Sequence, residues 1–178
     1  IIDETADIAE AARNTRLSKT SDFGSGCSAD GNLIVEASIF DKLVAQLQKE
    51  GGYLAAPAQK ELLRKAMWDD ERHRTASTVA ISPQQLARIA GFEIPADRKF
   101  IMVHGDGIGA LHHFSGEKLT TLLALYSYQG FDQALDMMRA IYEVGGKGHS
   151  CGIYSLDPDH IHRLALAAPV SRIMVRQP

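Results

Sequence analysis

The sequence has little of what marks several specialised classes of protein. Its 178 residues contain two cysteines, Cys27 and Cys151, which are too few for a disulfide scaffold. No apolar run approaches the ~20 residues that a membrane-spanning helix needs, and no signal peptide is visible. The 19 basic and 22 acidic side chains give a net charge of -3, without the basic excess typical of nucleic-acid-binding proteins. We therefore expect a cytoplasmic protein with reduced thiols and with neither a nucleic-acid nor a membrane partner.

The composition that remains is that of an ordinary globular domain. Hydrophobic residues make up 45% of the chain and charged residues 23%, close to the averages for folded domains. Short apolar runs alternate with amphipathic segments of ~10–14 residues, a pattern typical of α/β sheets with parallel pairing. The sequence thus predicts a single α/β domain over residues 1–178.

Local start and stop signals locate the predicted elements. Acidic residues predict a first helix from near Thr5, and Ser38 is predicted to cap the second. Ser82 with Pro83 predicts a helix start, and Gly91 its end. Helices are expected at 5–19, 39–50, 57–67, 83–91, 131–144 and 157–168, and strands at 32–37, 99–104, 120–128, 150–155 and the C-terminal end.

Cys27 is the strongest candidate for chemistry. It lies in a run of small and turn-forming residues between Thr20 and Gly31. A thiolate on an exposed turn is a good nucleophile, and the backbone N–H groups of the turn can stabilise a developing oxyanion. The alternative is a small apolar side chain packed under a loop. Cys151 falls in a predicted strand, where a buried and inert thiol is expected.

Other glycine-rich and charged segments are weaker candidates. The turn at 145–151 could bring His149 to a ligand, or could simply end a helix beside a surface histidine. The turn at 105–109 lacks the spacing of a dinucleotide-binding fingerprint, so we expect a plain loop. The mixed charges of residues 68–74 predict a solvated loop.

The histidines do not predict a metal site. His112 and His113 are adjacent, and His160 and His162 are two residues apart, so neither pair shares a helix face. No carboxylate or cysteine stands at a matching position to complete a ligand set. We expect no bound metal.

Three segments in order along the chain resemble the catalytic domain of the aldehyde dehydrogenase superfamily, in its CoA-acylating branch. They are residues 23–28 (FGSGCS), 115–119 (SGEKL) and 146–150 (GKGHS), and residues 3–8 and 168–172 also fit. The resemblance spans nearly the whole chain. It implies a three-layer α/β/α sheet without the family's nucleotide-binding domain.

The resemblance also implies roles for individual residues. Cys27 matches the nucleophile that attacks the aldehyde to give a thiohemiacetal. The thiohemiacetal loses a hydride to NAD or NADP, and the acyl group of the resulting thioester passes to coenzyme A. Glu117 matches a glutamate that contacts the nicotinamide ribose, and His149 matches a histidine near the active site. The substrate is expected to be a small aldehyde. The segments are most similar to sulfoacetaldehyde dehydrogenase-like enzymes, with other two-carbon or four-carbon aldehydes equally open.

The departures from the family set further expectations. Family members are longer, with a nucleotide-binding domain before this segment and more strands after Pro178. We therefore expect this segment alone to be inactive and the whole protein to form a homo-oligomer. Two alternatives stay open: a non-catalytic oligomerisation or scaffold module, and a cysteine hydrolase that uses Cys27 with His149 as its base.

Overall fold

All strands of the protein are parallel. The computed structural model describes residues 1–178, with strands β1 Asn32–Glu36, β2 Gly52–Leu54, β3 Phe100–His104, β4 Leu122–Tyr128, β5 Gly148–Ile153 and β6 Val170–Val175. The first four form one sheet in the order β1-β4-β3-β2, and β5 pairs with β6. Ile2 joins the two sheets, because it bridges Val35 on one side and Tyr154 on the other.

Helices cover both faces of this sheet. They are α1 Ile8–Thr20, α2 Phe40–Lys49, α3 Pro57–Met67, α4 Pro83–Ala90, α5 Phe131–Gly145 and α6 Pro158–Ala167. Helices α1 and α2 pack on one face, where Leu33 and Val35 of β1 point. The other four helices pack on the opposite face. Both faces of the four-stranded sheet are therefore largely buried, as is typical of parallel sheets, and the expected three-layer α/β/α fold is confirmed.

Most predicted elements are confirmed, and their ends follow local chemistry. In α4, the Ser82 hydroxyl accepts a hydrogen bond from the Gln85 N–H, and Gly91 ends the helix with a φ of 92°. Helix α3 occupies the predicted residues 57–67. No helix in the structure is both long and apolar enough to cross a bilayer.

One predicted helix start and one predicted helix cap are wrong. Helix α1 begins at Ile8, because the Asp7 carboxylate caps it. Thr5 instead donates its N–H and hydroxyl to the Asp3 carboxylate, a local turn that competes with the helix. Ser38 caps nothing: it lies inside a short 3₁₀ turn and donates to the Glu36 carboxylate.

Strand β2 was not predicted, and the charged loop is solvated at residues 69–73, as predicted, but packed at its two ends. Strand β2 has three residues and begins at Gly52, where a Cβ would lie 2.8 Å from Met102 and 2.9 Å from the Leu47 carbonyl. In the loop at 68–74, Trp68 is buried and Arg74 donates to the Lys118 carbonyl at 2.7 Å. Burial lowers the pKa of Arg74 to about 10. The loop is therefore partly a packing element, not a fully solvated one.

Candidate active site

The three segments singled out in the sequence line one cavity. It has a volume of about 360 Å³, and its wall includes Cys27, Glu117 and His149. This volume falls in the range of small-molecule sites. The segments immediately precede or begin β1, β4 and β5, so they meet at the amino ends of the parallel strands. In most open α/β sheets ligands bind at the opposite, carboxyl edge.

The loop before β1 presents Cys27 through an unusual backbone path. Asp22, Phe23 and Gly24 have φ values of 45°, 52° and 67°, so the chain turns sharply after α1. A Cβ on Gly24 would lie 2.6 Å from the Thr120 carbonyl oxygen. Glycine is required there because the loop packs directly on the backbone that leads into β4.

Cys27 itself is exposed at the tip of a turn. The turn is closed by a hydrogen bond of 2.9 Å from the Ala29 N–H to the Gly26 carbonyl. The backbone N–H groups of Gly26, Cys27 and Ser28 donate to no backbone acceptor. The thiol is thus accessible, and N–H donors stand beside it that could stabilise an oxyanion. Cys151, by contrast, is buried in β5, as predicted, and both thiols are free.

The loop before β4 holds Glu117 at the rim of the cavity. Glu117 is exposed, while its neighbour Lys118 is buried. The Lys118 ammonium donates to the carbonyls of Phe114 and Gly116 at 2.6 and 2.7 Å, and to Asn32 Oδ1 at 3.0 Å. Lys118 therefore fixes the loop that carries Glu117 to the start of β1. Burial holds the pKa of Lys118 well below its ordinary value.

His149 reaches the cavity from the start of β5. Its side chain is exposed, and Nδ1 lies 2.8 Å from the hydroxyl of Ser150. The Cys27 thiol and the His149 ring share the cavity but form no hydrogen bond with each other. The structure therefore lacks the nucleophile–base contact that a cysteine hydrolase would need.

Lys19 is a cavity residue to which the sequence analysis assigned no role. Lys19 is 1% exposed and lines the cavity from the last turn of α1. The sequence alone predicts for Lys19 only an ordinary cation at a helix C-terminus, where the helix dipole favours positive charge. Burial lowers its pKa to about 8, and Asp30 opposes that change.

The structure also brings together charged residues that are far apart in the sequence. His160 Nδ1 lies 2.8 Å from Asp3 Oδ2, and Glu4 offers a third ligand atom within 4.8 Å. The two residues lie 157 positions apart, so a search for helical spacing could not pair them. This cluster lies at the carboxyl edge of the sheet, away from Cys27. The Asp3 carboxylate already accepts hydrogen bonds from Thr5 and His160. That no metal binds stays a prediction.

The loop at 105–109 contains no helix start, as expected for a plain loop. Gly105 packs so closely on Tyr126 that a Cβ would lie 2.0 Å from the ring. This glycine serves packing against β4.

Comparison with known proteins gives consistent matches along the whole chain. The acylating sulfoacetaldehyde dehydrogenase of Cupriavidus necator is 32% identical over 179 residues, covering 99% of this chain and 36% of that protein. That of Bilophila wadsworthia is 31% identical over 181 residues, covering 99% and 39%. The crystal structure of an acetylating aldehyde dehydrogenase from Geobacillus thermoglucosidasius superposes with a TM-score of 0.96 at 34% identity, covering 99% and 39%. No family model matches the chain.

These matches and the three-layer sheet place the chain in the aldehyde dehydrogenase superfamily. Within it, the chain belongs to the acylating aldehyde dehydrogenases. It spans 36% to 39% of the length of the relatives described above.

Proposed function

We propose that this chain is the catalytic portion of an NAD(P)-dependent, CoA-acylating aldehyde dehydrogenase. It would oxidise a small aldehyde to its acyl-CoA through a thioester on Cys27. The observation that carries the proposal is the exposed Cys27 thiol, beside unpaired N–H groups, in one cavity with Glu117 and His149. The names of the relatives support the reaction class.

The proposed reaction starts at the sulfur of Cys27. The thiolate forms a bond to the aldehyde carbon, and the carbonyl electron pair moves to oxygen. The N–H groups of Cys27 and Ser28 donate to this oxyanion and so stabilise the thiohemiacetal. When the oxyanion re-forms the carbonyl, a hydride leaves and a thioester remains. The thiolate of coenzyme A then attacks the thioester carbon, and the Cys27 thiolate leaves.

Glu117 is proposed to orient the nucleotide. Bound NAD or NADP supplies the hydride acceptor. The exposed carboxylate of Glu117 fits a hydrogen bond from a ribose hydroxyl, because it stands at the cavity rim on a loop held by Lys118. His149 would contact the substrate or coenzyme A from the opposite wall.

The rest of the proposal concerns the whole protein. Three relatives carry the name sulfoacetaldehyde dehydrogenase, so sulfoacetaldehyde is the first substrate to test. We expect residues 1–178 alone to be inactive, because the main nucleotide and coenzyme A contacts would come from other parts of the protein. We expect the whole protein to be cytoplasmic and homo-oligomeric.

The test compares two cysteine variants in the full-length protein that contains this chain. With aldehyde, NAD(P) and coenzyme A, Cys27→Ser should abolish NAD(P) reduction, while the control Cys151→Ser should retain it. Without coenzyme A, mass spectrometry should find an acyl adduct on Cys27. Activity that survives in Cys27→Ser, or no turnover of any aldehyde by the unaltered protein, would refute the proposal.

A further inference from the structure

The Lys19 side chain is a buried cation without a hydrogen-bond or ion-pair partner among residues 1–178. It is 1% exposed, and it lines the same cavity as Cys27. Its ammonium makes no hydrogen bond and has no carboxylate within ion-pair distance. An isolated charge in such a position is costly, so buried ammonium groups in proteins are normally paired. The unpaired ammonium therefore needs an explanation outside the side chains of residues 1–178.

Lys118 is a second buried lysine in this cavity, and its ammonium, unlike that of Lys19, is hydrogen-bonded by the chain. Its ammonium donates to three oxygen atoms, two of them backbone carbonyls. Lys19 has no such set, although its Nζ reaches the cysteine loop: a Cβ on Gly24 would lie 2.9 Å from it. The cation therefore stands at the base of the loop that carries the nucleophile.

The charges around Lys19 leave it positive at neutral pH. Asp30 is the carboxylate that acts on it and lines the same cavity, and burial raises the pKa of Asp30 itself. Lys118, which lines the same cavity, interacts electrostatically with Lys19. Because the pKa of Lys19 is about 8, its ammonium is still mostly protonated at pH 7. The cavity therefore offers a desolvated positive charge to whatever enters it.

We propose that Lys19 binds the anionic end of the substrate, so that the protein prefers small aldehydes that carry a sulfonate or carboxylate. This inference rests on the proposed function and deepens it. The aldehyde carbon would face Cys27 while the anionic group pairs with the Lys19 ammonium.

The first test uses two alkylating reagents of nearly equal size on the full-length protein at pH 7. Iodoacetate carries a carboxylate next to the reacting carbon, and iodoacetamide is its neutral counterpart. The ratio of their rates at Cys27 should fall about tenfold in Lys19→Met, as expected for loss of a charge-assisted contact. Lys19→Arg should keep most of the preference, and Lys42→Met, an exposed lysine of α2, should keep all of it.

A ratio that is the same in Lys19→Met and in the unaltered protein would overturn the inference. An equal slowing of both reagents would do the same, because Lys19 would then act on the thiol and not on the anion. A second measurement needs no variant. Ethanesulfonate should protect Cys27 from iodoacetamide, and neutral ethanesulfonamide should not; equal protection by both would contradict the proposal.

Steady-state kinetics separate this inference from the proposed function. For the full-length protein, kcat/KM for sulfoacetaldehyde divided by that for propionaldehyde should fall at least tenfold in Lys19→Met. If propionaldehyde is oxidised and this ratio does not change, only the role of Lys19 is wrong. If no aldehyde yields NAD(P)H, the proposed function itself is wrong.

Discussion

Gly24 offers the sharpest test of how the cysteine loop is built, because a single methyl group should disrupt it. Its φ of 67° lies in the left-handed region, where an L-residue costs about 1–2 kcal/mol. The added Cβ would also lie 2.6 Å from the Thr120 carbonyl oxygen and 2.9 Å from Lys19 Nζ. Crowding against a backbone atom costs about 1–3 kcal/mol more. We therefore expect Gly24→Ala to lower the free energy of unfolding by about 2–5 kcal/mol.

Gly26 in the same loop provides a matched control. A Cβ at Gly26 meets nothing within 4 Å, and its backbone is not in the left-handed region. Gly26→Ala should therefore change stability by about 0.5 kcal/mol or less. Urea denaturation of the full-length protein measures both variants under the same conditions. A Gly24→Ala protein as stable as Gly26→Ala would refute the packing argument.

The same pair of variants tests the link between the loop and the reaction. If Gly24→Ala folds, its loop must shift away from Thr120, which displaces Cys27. A misplacement of about 1 Å can reduce a rate by about 10²-fold. Aldehyde oxidation should thus fall far more in Gly24→Ala than in Gly26→Ala, and equal rates in the two variants would show that the loop tolerates displacement.

Three further predictions concern residues of the cavity wall. Lys19→Met should raise the free energy of unfolding at pH 7 by up to about 3 kcal/mol, because the pKa of the buried ammonium is about 8 instead of 10.5. The unfolded chain binds the extra proton between pH 8 and 10.5, so this advantage should shrink as pH rises through that window; a difference independent of pH would contradict it. Lys118→Met should act in the opposite direction and destabilise by about 2–4 kcal/mol in the same urea assay, because it leaves three oxygen acceptors unpaired; equal signs for the two lysines would be inconsistent with their different hydrogen bonding. Glu117→Gln should raise KM for NAD(P) about tenfold in steady-state kinetics with little effect on the alkylation of Cys27, and an unchanged KM would remove Glu117 from the nucleotide site.

The two buried lysines illustrate a common trade between stability and function. Lys118 offsets part of the cost of its burial through hydrogen bonds that fix the Glu117 loop. Lys19 has no such bonds, so the fold would be more stable without its charge. Residues that destabilise a fold yet line its cavity are typical of binding sites. The cavity therefore combines one lysine that serves the structure with one that is available to a ligand.

Local sequence determined much of the fold. Ser82, Gln85 and Gly91 carry the hydrogen-bonding groups and backbone freedom that start and end α4, so its bounds could be predicted from those residues alone. Apolar runs bounded by turns located every strand of four or more residues. The small residues around Cys27 likewise predicted an exposed turn, because their conformational freedom is a property of the residues themselves.

The tertiary structure determined which residues from distant parts of the sequence are in contact. Strand β2 exists only because β3 pairs with it, and three residues carry too little pattern to show it. In the sequence, Lys19 is indistinguishable from a solvated cation at the end of a helix. Its burial beside Gly24 arises only from tertiary packing. Asp3 and His160 meet across 157 positions for the same reason. Contacts between distant segments depend on strand order and crossovers, which no local spacing encodes. Cys27 could therefore be singled out from the sequence, while the buried lysine that lines the same cavity could not.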